Sequence, residues 1–179
     1  MSLTTKLMKN FLLKKKKIKN LGGNLIGNIN INLGQKGDII WSYLKKKKIN
    51  KLISDLTGFK DNEYSVFFGG NLLYAYPNSY NQLFHTDGKK NPRKIIISLC
   101  LDSIDKKNGP TELYEKSHKK VLPYWKFFFK YFFKKKYQLA LNKGDIFIRE
   151  AFIWHRGTKN NSSKNRVLIN FIISELDNK

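Results

Sequence analysis

From about residue 60 onward the chain is a succession of short β-type runs cut by turns, which leaves little choice but a layered or closed β structure. Candidate strands cover 64–68, 71–76, 82–87, 94–101, 112–115, 137–141, 145–149, 151–155 and 166–174. Strands this short cannot bury a face alone, so they must share a core in a sandwich or jelly roll. Before residue 60 the spacing changes. Ile39, Ile40, Tyr43, Leu44, Ile49, Leu52, Ile53 and Leu56 recur at roughly helical intervals, with Asp38 placed to cap the start and Gly58 to end it. The lysines at 45–48 then form a solvated stretch. Leu3 to Ile18 reads as a basic amphipathic helix, and Asn20 to Gly34 as a Gly/Asn-rich loop. At 179 residues and 21.0 kDa the chain fits one domain, helical and loop-like over 1–60 and β over 61–179.

Several strands carry chemistry. His85 and Asp87 lie two apart in Phe84-His85-Thr86-Asp87-Gly88, and residues i and i+2 of a strand project to the same side. His155 lies in a second strand-to-turn segment, Ile153-Trp154-His155-Arg156-Gly157-Thr158. Two imidazoles and one carboxylate can occupy one face of an octahedral Fe(II) ion and leave the opposite face open for a chelating cosubstrate and dioxygen. Arg166 opens the otherwise mostly apolar run Val167-Leu168-Ile169-Asn170-Phe171-Ile172-Ile173. A buried guanidinium needs a partner, and its planar fork suits the distal carboxylate of such a cosubstrate; a strand-end arginine reaching solvent is the plainer alternative.

Three segments resemble the phytanoyl-CoA dioxygenase family of Fe(II)- and 2-oxoglutarate-dependent oxygenases. They are Gln82 to Gly88; Leu101 to Thr111 with its Asn108-Gly109-Pro110, continuing to Lys116-Ser117-His118-Lys119; and Lys143-Gly144-Asp145-Ile146-Phe147-Ile148, continuing through Trp154-His155-Arg156-Gly157-Thr158 to Arg166. Together they span roughly residues 65 to 173. The resemblance implies a double-stranded β-helix, a jelly roll with the iron near one open end and N-terminal helices packed outside one sheet. It implies His85, Asp87 and His155 as iron ligands and Arg166 as the residue that binds 2-oxoglutarate. Asn71 is a further candidate for hydrogen bonding to the cosubstrate. The Asn-Gly-Pro and Ser-His-Lys stretch is structural in the family, so His118 is not expected to be a ligand. Two positions depart from the family pattern. Gly157 stands where a hydroxyl residue often follows the distal histidine, with Thr158 next, and Glu115-Lys116 replaces the usual Pro-Gly. In halogenating relatives a small residue replaces the carboxylate; with Asp87 present, hydroxylation with release of succinate and CO2 is the implied reaction. The substrate would be a small organic molecule. Its selectivity would come from the N-terminal third, residues 88–94 and the aromatic segment 124–136.

The formal net charge of +22 and pI near 10.0 would ordinarily point to nucleic acid or another polyanion. The bases here are nearly all lysines, the arginines being Arg93, Arg149, Arg156 and Arg166, and Asn, Ile, Phe and Tyr are plentiful. That profile matches an AT-rich coding bias, whereas nucleic-acid sites lean on arginine, so nucleic acid is not favoured as a partner. A catalytically inactive jelly-roll binding module with an anion-attracting surface stays open as the alternative to an enzyme. Cys100 is the sole cysteine and sits in an apolar strand, so a packed thiol is the expectation. With no long apolar run and no secretory pattern at the N-terminus, the expected compartment is the cytoplasm. Oligomeric state is not legible.

One segment has no counterpart in this pattern: Tyr124-Trp125-Lys126-Phe127-Phe128-Phe129-Lys130-Tyr131-Phe132-Phe133-Lys134-Lys135-Lys136. It reads as a short helix with Trp125, Phe128, Phe129 and Phe132 facing the core, as a lid over the site, or as a peripheral membrane contact through residues 124–136. Aromatics on most faces of such a helix predict that some are exposed or covered by a partner.

Overall fold

The computed structural model describes residues 28–60, 63–66, 70–88, 92–120 and 122–176. Within them run β1 (Asn28–Asn32), α1 (Gln35–Lys46), α2 (Ile49–Thr57), β2 (Tyr64–Val66), β3 (Asn71–Ala75), β4 (Lys94–Cys100) and β5 (Thr111–Leu113). A 3-10 turn (Ser117–Lys119) follows, then α3 (Tyr124–Tyr131), β6 (Tyr137–Gln138), β7 (Ile146–Glu150), β8 (His155–Gly157) and β9 (Arg166–Glu175). The first expected helix, Leu3 to Ile18, lies outside the described residues.

Two antiparallel sheets form the jelly roll. The larger has the order β1-β3-β9-β4-β7, with β2 pairing the far end of β9; the smaller has the order β6-β5-β8. On β9 the side chains alternate. Val167, Ile169, Phe171 and Ile173 meet Trp41, Leu44, Ile49 and Ile53 of the two helices in the main core, whereas Arg166, Leu168, Asn170 and Ile172 fall on the opposite face, toward the smaller sheet. Phe171 is fully buried, its ring 5.1 Å from that of Trp41, and burial of such a side chain stabilises the fold by roughly 1.5–3 kcal/mol. Arg93 fastens this helical layer to the sheet: it donates to the Thr57 carbonyl at 2.8 Å and to the Glu150 carboxylate at 2.6 Å.

Four local expectations are corrected. The stretch up to Gly34 is not all loop: Asn28-Ile29-Asn30-Ile31-Asn32 alternates polar and apolar and adds an edge strand to β3, with Ile31 against the main core. The single helix expected over 38–58 is two, because Lys48 takes a left-handed conformation (φ 62°) and turns the chain between them. Gly34, not Asp38, precedes the first helix, while Gly58 ends the second as expected. The expected strand 151–155 is displaced: residues 151–153 form the turn out of β7, and β8 starts at His155.

The departure at Lys116 also has a geometry. Where the family usually carries glycine, Lys116 holds φ at 59°, a conformation that strains a residue with a Cβ. Lys116→Gly should therefore raise stability, by about 0.5–1 kcal/mol once the added unfolded-state freedom of glycine is subtracted. An increase in the urea midpoint at unchanged m-value is the expected result; a decrease would show that Lys116 stabilises the loop by other contacts.

Candidate metal and cosubstrate site

The segment before Gly88 is extended and runs antiparallel to β8. His85 and His155 exchange both backbone hydrogen bonds, at 2.9 and 3.0 Å, Gln82 N–H donates to the Gly157 carbonyl, and Asp87 N–H donates to the Ala151 carbonyl. The expected strand 82–87 is thus present as a bonded extended segment, although only His85 forms a regular bridge. The ladder places the two histidines side by side, ring centroids 4.4 Å apart, and the i, i+2 step brings Asp87 to the same side. Nε2 of His85 lies 3.6 Å from Asp87 Oδ1 and Nε2 of His155 lies 3.3 Å from Asp87 Oδ2. One potential ligand atom from each of the three residues falls within 4.8 Å of the others.

The histidines are prepared for a metal. Nδ1–H of His85 donates to the Leu83 carbonyl at 2.8 Å, and Nδ1–H of His155 donates to the Ile153 carbonyl at 3.0 Å. Each bond fixes the tautomer and leaves the Nε2 lone pair directed at the shared centre. Burial and then the neighbouring Arg149 charge push the His155 pKa down, against the opposing pull of Asp87, so its imidazole is held neutral, as a ligand must be. Burial would raise the Asp87 carboxyl, but the adjoining His155 ring and the charge and hydrogen bond of Arg149 together outweigh it and hold it well below the usual carboxylate range. The donor set of two neutral imidazoles and one ionised carboxylate fits Fe(II).

Opposite the triad, the inward face of the larger sheet carries polar groups that apolar packing does not explain. Arg166 is buried, its Nε has no hydrogen-bond partner, and among the described residues no carboxylate pairs with it. Burial pushes its pKa down to about 10. Its guanidinium lies beside Gly157: a Cβ on that glycine would stand 3.6 Å from Arg166 Nη2 and 2.9 Å from Gln82 Oε1. Since Gly157 follows His155 by two on β8, the guanidinium and the ligand occupy the same side of that strand. Thr158 does not take the role of the missing hydroxyl, because its Oγ1 donates to the Pro110 carbonyl at 2.8 Å. The space and the polar oxygen next to the arginine come instead from Gly157 and Gln82.

Sequence reasoning misses Arg149. It is buried on β7, donates through Nη2 to Asp87 Oδ2, and leaves Nη1 buried without a partner. Asn170 Oδ1, inward on β9, is likewise unpartnered. Asn71 pairs with Asn170 across β3 and β9, which sets its backbone in the inward register; its side chain lies outside what the structure describes. His118 is not part of the ligand group. The Asn108-Gly109-Pro110 turn is structural. Gly109 (φ 86°) packs so closely that a Cβ would stand 2.8 Å from the Thr158 carbonyl, and the contact braces the chain just past His155. Cys100 is buried as expected, its thiol pushed up to about 11 by burial and the Asp145 charge.

A jelly roll that brings a His-X-Asp pair together with a distal His, and carries a buried arginine on the larger sheet, is the arrangement of the non-haem Fe(II)/2-oxoglutarate oxygenases. The phytanoyl-CoA dioxygenase (PhyH) family model matches residues 18–168, and the chain belongs to that family. No curated protein matches by sequence. Among solved structures, the carbocyclase SnoK from nogalamycin biosynthesis shares 14% identity at a TM-score of 0.76, over 98% of this chain and 76% of its own. The epimerase SnoN in complex with Fe3+, α-ketoglutarate and nogalamycin RO matches at 14% identity and a TM-score of 0.78, over 96% and 73%. HygX from Streptomyces hygroscopicus, with nickel and 2-oxoglutarate bound, matches at 10% identity and a TM-score of 0.68, over 94% and 78%.

Proposed function

We propose that this chain hydroxylates a small organic substrate, consuming dioxygen and 2-oxoglutarate and releasing succinate and CO2. The observation that carries the reading is the placement of Arg166. A buried cation with an unpartnered Nε, beside the strand that bears His155, is costly unless something anionic joins it.

The site residues then divide the work. His85, Asp87 and His155 would hold Fe(II) on one face; when bound, the ion supplies oxygen activation coupled to oxidative decarboxylation of the cosubstrate. Arg166 would receive the distal carboxylate of 2-oxoglutarate through charge-assisted hydrogen bonds and so set its orientation. Arg149 pairs with Asp87 Oδ2 and offsets its charge, while its unpartnered Nη1 and Asn170 Oδ1 would offer further polar contacts to whatever enters. His155 and Arg166 are buried, while His85 and Asp87 keep one side of the centre open to solvent, where a substrate would enter. Asp87 is also what argues for hydroxylation over halogenation, since its carboxylate would be a ligand where a halogenating relative has a small residue.

The test is an anaerobic titration of the purified protein with Fe(II) and then 2-oxoglutarate, followed by visible absorption. A charge-transfer band that saturates at a single equivalent is expected. Iron uptake without a band on adding 2-oxoglutarate would sink the role given to Arg166, and failure to bind iron would leave an inactive binding module.

A further inference from the structure

α3 does not cover the catalytic centre. It packs on the outer face of the smaller sheet, where Phe127 stacks on Trp154 (centroids 3.9 Å apart) and meets Tyr114 and Phe84. These rings project to the side opposite His85 and His155, as the alternation of β5, β8 and the 82–87 segment requires. The expectation that Trp125, Phe128, Phe129 and Phe132 face the core is overturned. Helical spacing sets Tyr124, Phe127 and Tyr131 on one stripe, and that is the stripe seated against Trp154 and Tyr114. The others are left outside: Phe128 is 48% exposed, Trp125 60%, Phe129 77% and Phe133 92%.

We infer that this face docks on an anionic lipid bilayer. Codon bias explains an excess of phenylalanine and lysine in the chain, but not their arrangement in space. Seven of the fifteen exposed large apolar side chains among the described residues are gathered into residues 124–137, and a contiguous apolar patch of this kind marks an interaction surface. The charges around it have one sign. No Asp or Glu occurs between Glu115 and Asp145, whereas Lys126, Lys130, Lys134, Lys135 and Lys136 all fall there. Lys126 lies 5.1 Å from the Trp125 ring centroid and Lys135 5.2 Å from that of Tyr137, so the ammonium groups rim the aromatic patch. A groove of about 320 Å³ continues the same order, with Leu83, Phe84, Phe128 and Phe132 in its wall and Arg156 and Lys136 at its edge. Apolar rings rimmed by lysines, with Glu112 buried against Arg156, complement an interface of acyl chains beneath phosphates. A nucleic-acid duplex would supply the phosphates but keep its bases stacked away from the rings, and a second copy would bring lysines against lysines.

The experiment is vesicle sedimentation of the full chain with phosphatidylcholine alone and with phosphatidylcholine containing one third phosphatidylserine, paired with tryptophan fluorescence. Trp41 and Trp154 are buried, so Trp125 is the exposed reporter. Binding only to the anionic vesicles, a blue-shifted emission that is lost in Trp125→Phe, and weakening by salt are expected. Phe129→Ala/Phe133→Ala, at positions whose exposure makes refolding trouble minimal, should weaken binding about tenfold or more. Lys134→Gln/Lys135→Gln should do the same, since each cation near such a surface contributes roughly a fivefold factor. Iron and 2-oxoglutarate binding should be unchanged in both variants, which keeps this inference separate from the catalytic reading. Three results would overturn it: no sedimentation at low salt, sedimentation indifferent to the phenylalanine pair, or a self-associated protein in velocity sedimentation that the phenylalanine variant disperses.

Discussion

His155→Ala is expected to give a folded protein that takes up no stoichiometric iron. The strand does not depend on the imidazole, because His155 is held by main-chain bonds to His85 and by pairing with Leu113 on β5. The ring itself projects into a polar interior, so truncation leaves room in a space already shared with His85 and Asp87 and opens no void in the main core. What the substitution does remove is the imidazole whose Nε2 lies 3.3 Å from Asp87 Oδ2, the oxygen that Arg149 also contacts. The carboxylate is then left to Arg149, a fixed cation that competes with the metal for the same oxygen. His85 and Asp87 alone cannot define one face of an octahedron. The loss should exceed the ~10–100-fold penalty typical of removing a contact that merely supports a ligand. Anaerobic calorimetry with Fe(II), or the visible spectrum with Co(II), measures it against circular dichroism as the control for folding. Near-native affinity in a folded His155→Ala protein would remove His155 from the ligand set.

The triad is legible in the sequence because it depends on a local rule, the same-side projection of i and i+2, plus one distant histidine in a strand-to-turn setting. The jelly roll is legible for a similar reason: short runs and frequent turns survive in the primary pattern. What depends on pairing in space is not. Arg149 sits in Ile146-Phe147-Ile148-Arg149-Glu150, a run that reads as an ordinary strand until β4 aligns Arg149 with Ile96 and turns it inward. The break between α1 and α2 is hidden in a lysine run, since nothing in Lys45 to Lys48 marks a left-handed residue. The buried face of α3 is ambiguous in sequence because nearly every position is aromatic, and only the presence of Trp154 and Tyr114 decides which of them is covered. One sequence signal does point to the missed residue. In a chain whose bases are almost all lysine, the retained arginines mark positions that need a planar fork: Arg93 bonds Glu150, Arg149 bonds Asp87 and Arg156 bonds Glu112. By that rule Arg166, without a carboxylate among the described residues, is the arginine left for the proposed cosubstrate.

Arg166→Met should therefore separate stability from binding. Burial lowers the folded-state pKa of Arg166 to about 10, below its ordinary value, so the folded protein binds this proton less tightly than the unfolded chain does. The sign is a penalty: it is present at every pH below about 10, neutral pH included, and is relieved only as pH rises past that value. A depression of that size is worth on the order of 3 kcal/mol. Methionine keeps an unbranched stem of similar reach and needs no partner for a buried Nε, so the variant should melt at the same temperature as the wild type or higher. The cosubstrate tells the opposite story. With Mn(II) as a redox-silent ion, 2-oxoglutarate at about a hundred times its dissociation constant should stabilise the wild type by roughly 2.7 kcal/mol, an upward shift of about 5–10 °C. The same concentration should shift Arg166→Met by at most about half as much, because losing the charge-assisted pair weakens binding by ~1.5–3 kcal/mol, roughly ten- to 150-fold. If the variant instead unfolds, the guanidinium is a structural tie and its missing partner lies within the chain. If it melts normally and still shifts with 2-oxoglutarate as the wild type does, the distal carboxylate is held elsewhere, and Arg149 with its free Nη1 becomes the residue to test.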